Sequence, residues 1–310
     1  MDSGDKHLDE HRAPDSAADI ERPLSRSDAT VVRVTLPQSR VIDRHAPSLA
    51  SYCAELWAFR EVAYMLIQRD LIVRFRQTYF GLAWLLFKPL MLAAVMTFAF
   101  GYLAGFQSRY SVPYPLIIFC GVIPWYFVSN AIPDGMNSLR VHIFVIQQAY
   151  FPRALIPIAA VFVDAIEFIV AWLLFVLGCA WYGYVPGWQV LAFPLFCLQL
   201  LLLSTAAGLW LALLNVRFRD VGNLIPFLIT IGFFLTPVGY TYAAVPERWQ
   251  LLYALNPLVG VIEGLRWSLL NDLNGFPTGA VASSLLVTVV VSTLAVRHFL
   301  AEDRHLVDLV

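Results

Sequence analysis

Charge is scarce in this 310-residue sequence. Only 14% of residues are Asp, Glu, Lys or Arg, against about 25% in an average soluble domain, while 59% are apolar. A water-facing surface needs more ionised groups than that, so most of the surface must face lipid. Lysine is nearly missing, with Lys6 and Lys88 alone beside many arginines. The four cysteines, Cys53, Cys120, Cys179 and Cys197, form no CxxC pair and none neighbours a histidine at metal spacing, which argues against a disulfide framework or a zinc site. No GxxxxGK[ST] phosphate loop occurs, so this chain does not hydrolyse ATP by itself. The period-2 alternation of a membrane β-barrel is absent too. The net charge of −1 points to no partner.

What is present is a series of long apolar runs. A spanning helix needs roughly 20 apolar residues, and residues 90–108, 111–133, 168–216, 221–246 and 273–296 each run without an ionised group. The third is too long for one crossing, and Tyr184-Val185-Pro186-Gly187 breaks it with a turn signal. The expected fold is therefore an all-α integral membrane protein with six spans, near residues 81–106, 114–136, 154–182, 190–216, 221–242 and 279–300. With the N-terminus inside, Arg69, Arg74, Arg76, Arg140, Arg153, Arg217, Arg219, Arg297 and Arg304 are cytosolic and only Arg109, Arg248 and Arg266 fall outside. That is the asymmetry the positive-inside rule requires, and it puts both termini in the cytosol.

Domain limits follow from composition. Residues 1–50 are polar and read as a disordered cytosolic tail without the apolar core of a secretory signal. Over residues 51–78, Leu56, Phe59, Ala63 and Leu66 keep helical spacing among Glu55, Arg60, Glu61 and Arg69, which predicts an amphipathic helix in the headgroup region or, failing that, in the cytosol. The six-helix membrane domain occupies 79–300 and a short cytosolic tail 301–310. Between the last two spans, the apolar pieces of 243–276 are too short to cross and Asn256-Pro257 breaks them. Two short re-entrant helices in the outer leaflet are expected there.

Four motifs stand in order along the chain: RDLIVRFRQTYFGLAWLLFKP over 69–89, AYFPRALIP over 149–157, LNVRFRD over 214–220, and TPVGY over 236–240 followed by LNPLVGVIEGLRWSLL over 255–270. With the spans between them, they resemble the permease subunits of type-2 ABC exporters of polysaccharides and polyol phosphates, the exporters of O-antigen, capsule and teichoic acid. The resemblance runs from about Glu55 to the C-terminus. It implies a homodimer in a bacterial inner membrane, with two ATPase subunits that bind ATP and Mg docked on the cytosolic side. It also implies an undecaprenyl- or polyprenyl-diphosphate-linked glycan as cargo, no cofactor in this chain and no nucleic-acid partner.

On that basis individual residues take expected roles, each beside a plainer one. Arg69, Arg74 and Arg76 meet the lipid diphosphate where substrate enters, since arginine binds phosphate bidentately; the alternative is arginines snorkelling beside an interfacial ring. Tyr79, Phe80, Trp84, Phe233, Phe234 and Tyr240 line a channel along the first and fifth spans, or belong to an aromatic belt. Leu139, Arg140, Ile143, Phe144, Ile146, Tyr150 and Arg153 sit in a loop too apolar to be free, and couple to the ATPase or pack on the membrane. Asn256, Pro257, Glu263 and Arg266 form an outer gate or a local pair at i,i+3. Asp164 and Glu167 lie in the third span, where an acid needs a partner or water; they are a channel wall, a proton site or a staple between helices. A proton-coupled secondary transporter and a membrane-embedded glycosyltransferase are the rival functions. The first would show broken helices in matching halves, and the second acids or histidines clustered at one membrane face; neither pattern is present.

Overall fold

The structure, a computed structural model, describes residues 49–76, 83–144, 151–270 and 275–303. Tyr79, Phe80, Ile146, Tyr150, most of the expected tail 1–50 and residues 304–310 lie outside the described residues. Among the described residues there are ten α-helices and no strand. In chain order they are α1 (Leu49–Ala58), α2 (Arg60–Phe75), α3 (Ala83–Met96, prolonged by a π-helical stretch Thr97–Leu103), α4 (Tyr114–Val141), α5 (Leu155–Trp181), α6 (Phe193–Arg217), α7 (Val221–Phe234), α8 (Glu247–Tyr253), α9 (Pro257–Leu270) and α10 (Thr278–Glu302).

Five stretches are long and apolar enough to cross a membrane: Ala83–Leu103, Tyr114–Val141, Leu155–Trp181, Trp188–Arg217 and Thr278–Glu302. The span expected over 221–242 is different. Its helix α7 stops at Phe234 after 14 residues, about 21 Å at 1.5 Å per residue and short of a hydrocarbon core of about 30 Å. Beyond it TPVGY is irregular, and its carbonyls at Val238 and Tyr240 accept hydrogen bonds from Arg266 instead of continuing a helix.

α4 is the axis of the bundle. In its apolar stretch 72% of residues are buried, against 17% for α3 with its π extension. It packs against α5 and α6. Its crossing with α6 depends on two glycines: a Cβ on Gly135 would lie 3.0 Å from the Gly208 Cα, so only small residues let these backbones approach. Against α5 the contact is aromatic. Phe127 meets Phe168 with ring centroids 4.8 Å apart, and Trp172 then touches Phe175 at 5.3 Å and Phe193 at 4.9 Å.

The segment expected as one amphipathic helix is two, broken at Phe59, whose backbone leaves helical geometry. Tyr52 and Leu66 reach into a second core with Leu139, Leu155, Leu213 and Phe299, while Trp57, Tyr64, Met65, Ile72 and Val73 stay exposed. α2 runs alongside α5.

α8 and α9 are each too short to span. Asn256 starts α9: its Oδ1 accepts the Leu258 N–H at 3.0 Å, with Pro257 at the first helical position, an arrangement that satisfies an orphan donor and uses proline where no N–H is needed. Eleven of the 14 residues of α9 are buried. Two glycines permit this. A Cβ on Gly260 would fall 2.2 Å from the Ala280 carbonyl oxygen, and one on Gly264 2.2 Å from the Phe196 ring. Gly260→Ala is expected to destabilise the folded protein by about 1–3 kcal/mol through overpacking. Gly279→Ala, where nothing lies within 4 Å, should be close to neutral. Thermal unfolding in mild detergent separates the two.

Candidate functional site

The sequence spacing alone places three polar side chains on one face of α4: Tyr126, Asn130 and Asp134 are four residues apart, slightly over one helical turn. On α5, Asp164 and Glu167 share a face at i,i+3. On α3, Trp84 and Lys88 do so at i,i+4. These faces converge, and Arg74 on the last turn of α2 enters among them. Its Nη1 donates to Asp164 Oδ1 at 2.6 Å and to Glu167 Oε1 at 3.0 Å, and its Nη2 donates to Asp134 Oδ2. Arg74, Phe75, Trp84, Leu85, Lys88, Tyr126, Asn130, Asp134 and Glu167 line an open cavity of about 340 Å³.

The charges around Arg74 decide what this site can do. Asp164 is 2% exposed, so leaving it without a countercharge would be costly. Arg74 supplies that countercharge to three acids at once, and with Lys88 the group of five carries a formal charge of −1 when all are ionised. The expectation that Arg74 presents a free guanidinium to phosphate therefore meets a different geometry, with both terminal nitrogens directed at carboxylates. Arg69 is likewise paired, with Asp70 at 2.9 Å. Arg76 and Lys88 are exposed and pair with no acid among the described residues. Of the two acids named from sequence, both are in the cluster. Asp134, Tyr126, Asn130 and Lys88 were missed, although the 126/130/134 spacing in an otherwise apolar span was a usable signal.

One turn before Arg74 on α2, Asp70 accepts from His142 Nε2 at 3.3 Å, at the C-terminal end of α4. The other ring nitrogen, Nδ1, faces the Ser138 carbonyl at 2.8 Å. The two ring nitrogens thus bridge the Asp70 carboxylate on α2 and the Ser138 carbonyl on α4. Burial alone would raise the Asp70 carboxyl, but hydrogen bonds from His142 and Arg69 outweigh it and hold it below the usual carboxylate range.

The residues expected to couple to an ATPase divide. Leu139 is 1% exposed and packs in the inner core, so it is corrected from a docking residue to a packing one; α4 runs on to Val141 and carries Leu139 inward. Val141 and Phe144 are 70% and 72% exposed, Ile143 is half-buried and Arg140 exposed. Arg153 donates to the Asp303 carbonyl, tying the start of α5 to the end of α10.

At the opposite end, Glu263 and Arg266 do pair, at 2.8 Å, but within a larger network. Arg266 is 1% exposed, and its guanidinium donates to the carbonyls of Tyr240 at 2.8 Å, Val238 at 2.9 Å and Ile117 at 3.4 Å. Glu263 also accepts the Tyr242 N–H at 3.0 Å. Asn256 joins the same loop, donating to the Leu235 carbonyl and Thr236 Oγ1, both at 3.1 Å. A cavity of about 230 Å³ adjoins Glu263, Arg266, Trp267 and Tyr242. Of the aromatics expected along a channel, Trp84 and Phe234 are exposed. Phe233 packs edge-on against Trp125 at 5.6 Å, and the Tyr240 hydroxyl donates to the Phe234 carbonyl at 2.9 Å. Among the described residues no group of His, Cys, Asp and Glu is arranged to hold a metal ion.

With this geometry in place, comparison with known proteins is informative. The family model described as "ABC-2 type transporter" matches residues 61–270. The chain is 30% identical to the O-antigen export system permease protein RfbA of Myxococcus xanthus over 212 residues, 67% of this chain and 80% of that one. It is 25% identical to the protein of the same name from Klebsiella pneumoniae over 211 residues, again 67% and 80% of the two chains. It is 21% identical to the polysialic acid transport protein KpsM of Escherichia coli over 203 residues, 64% and 77% of the two.

Two predictions come from the charged cluster. Arg74→Gln strands the buried Asp164 and is expected to lower the unfolding free energy by about 3 kcal/mol. Adding Asp164→Asn should recover part of the loss, so a double-mutant cycle in detergent gives a coupling above about 1 kcal/mol; strict additivity would mean that the two groups do not interact. For Asp70, a carboxyl held below its unfolded value near 3.9 stabilises fully above that pH and loses its contribution as pH falls through the lowered value. Asp70→Asn should therefore flatten the acid limb of a stability-versus-pH scan.

Proposed function

The chain belongs to the ABC-2 type transporter family of membrane subunits, and from that premise we propose that it exports lipid-linked polysaccharide, of the O-antigen type, from the cytosol across a bacterial inner membrane. The observation that carries the choice of cargo is the likeness over two thirds of the chain to permeases named for O-antigen export. Two copies form the channel and two separate ATPase subunits bind ATP and Mg. Both termini are cytosolic. There are six crossings, the fifth made by α7 with the TPVGY stretch, and α8 and α9 dip into the outer leaflet and return.

Several features support this assembly. α7 buries none of its side chains within the single chain, and α3 is nearly as open. Apolar helices left this bare are suited to cover one another across a dimer. The exposed Phe144 and Val141 at the end of α4 are suited to an apolar groove on the ATPase, in the manner of an aromatic anchor. From there His142 and Asp70 pass movement of α4 to α2, which borders the charged cavity. Polymer leaves along an aromatic path that includes Trp84 and Phe234. A proton-driven mechanism finds less support, because Asp164 and Glu167 both accept from the permanently charged Arg74.

Co-expression with neighbouring genes and purification in mild detergent tests the proposal. A stoichiometric ATPase subunit should co-purify, and Phe144→Asp should weaken its retention about tenfold or more while leaving the fold intact. If the chain purifies alone and carries a proton-driven flux that depends on Asp164, the exporter function fails.

A further inference from the structure

The cavity beside Arg74 has a composition that selects among the parts of a lipid-linked glycan. Its lining combines three aromatic side chains, Phe75, Trp84 and Tyr126, with the polar Asn130, Asp134 and Glu167 and the cations Arg74 and Lys88. Its volume of about 340 Å³ lies at the lower end of the roughly 300–1,000 Å³ range of small-molecule sites, room for a single ring and not for a coil of polymer.

Phosphate fits this interior poorly. Arg74 directs Nη1 and Nη2 at carboxylates, so a diphosphate placed inside would meet Asp134 and Glu167 with Lys88 as the single unshared cation in the lining, and would add negative charge to a cluster that already sums to −1. Hydroxyl groups suit it well. Asp134 Oδ1 and Glu167 Oε2 are the oxygens that do not accept from Arg74. An O–H donated to a carboxylate makes a short, charge-assisted bond. The apolar face of a sugar ring, meanwhile, matches the apolar body of an indole or phenol. Among the described residues the cations without an acidic partner here are Lys88, which is exposed and lines the cavity from α3, and Arg76, exposed just past the end of α2.

We propose that this cavity seats the first sugar ring of the lipid-linked glycan, the ring bonded to the diphosphate, while the diphosphate itself stays at the rim on Lys88 and Arg76. The assignment rests on the exporter function proposed above, and it separates two recognitions within one substrate. Asn130, Asp134 and Glu167 read hydroxyls, Trp84 supports the ring, and the rim cations read charge. The cavity then discriminates a loaded carrier lipid from an empty one, so an unglycosylated polyprenyl diphosphate does not occupy the transporter productively.

The test is equilibrium binding to the full chain in lipid nanodiscs, with two probes: a polyprenyl diphosphate bearing one N-acetylhexosamine, and the same polyprenyl diphosphate without sugar. The sugar-bearing lipid is expected to bind about tenfold more tightly, the scale of one well-made stacking and hydrogen-bonding contact. Trp84→Ala and Asn130→Ala should abolish most of that difference while the sugar-free lipid binds as before, which also shows that the variants are folded. Lys88→Ala should weaken both probes alike. Equal binding of the two probes to the wild-type chain, or equal weakening of both by Trp84→Ala and Asn130→Ala, overturns the sugar seat and leaves the exporter function standing. Failure of both probes to bind overturns both.

Discussion

A carboxylate ten residues into an apolar helix has to be met by a cation, and in this protein the cation arrives from outside the bundle. Asp164 sits on α5 with Glu167 one turn on and Asp134 across from it on α4; Arg74 reaches all three from α2. Lysine would not serve as well, because a single ammonium group lacks the planar fork that lets one side chain address separate carboxylates. The bond network fixes where α2 can lie. Asp134 is eight residues above His142, about 12 Å along α4, and α2 touches both positions. α2 is thus pinned along the side of the bundle, and the charged cavity exists because α3 passes in front of that pin.

The opposite end of the bundle solves a related problem with the same residue type. Irregular backbone within a membrane protein is tolerated only where its polar groups are satisfied by protein or water. Arg266 satisfies it by donating to three carbonyls, two of them in the TPVGY stretch, while Glu263 neutralises its charge and accepts a further backbone N–H. The fit requires Gly121 on α4, where a Cβ would stand 2.6 Å from Arg266 Nη2 and 2.8 Å from the Val238 carbonyl oxygen. The small residue on α4, the arginine on α9 and the broken helix after α7 therefore form a single structural unit drawn from three separate parts of the chain.

This long-range dependence marks the boundary of what the sequence discloses. Apolar runs disclosed the helical class and five of the spans, because length and hydropathy are local properties. They also suggested a full crossing over 221–242, where α7 in fact stops at Phe234, since capture of its following carbonyls by Arg266 has no local signature. Asp164 and Glu167 were legible as acids in need of a partner, but the partner lies 90 residues away and was read as a phosphate ligand. A span that ends at Met136 puts Leu139 in a loop. α4 continues five residues further, and helical phase then turns Leu139 inward while Val141 stays exposed. Phe144, just past that helix, is exposed as a coupling residue would need to be, though nothing local distinguishes it from Leu139.

The two pins on α2 have a joint mechanical consequence. Asp70 holds the C-terminal end of α4 through His142, and Arg74 holds the helix about two turns earlier through Asp134. Two separated attachments oppose pivoting of α2 on α4. Arg74 is also bonded to α5. Any relative movement of α4 and α5 must therefore redistribute three carboxylates around one guanidinium, in a place where an unpaired charge is expensive. The carboxylates that line the cavity are the same ones that would be redistributed. A change in its polar wall is thus tied to the movement of the helices that form it.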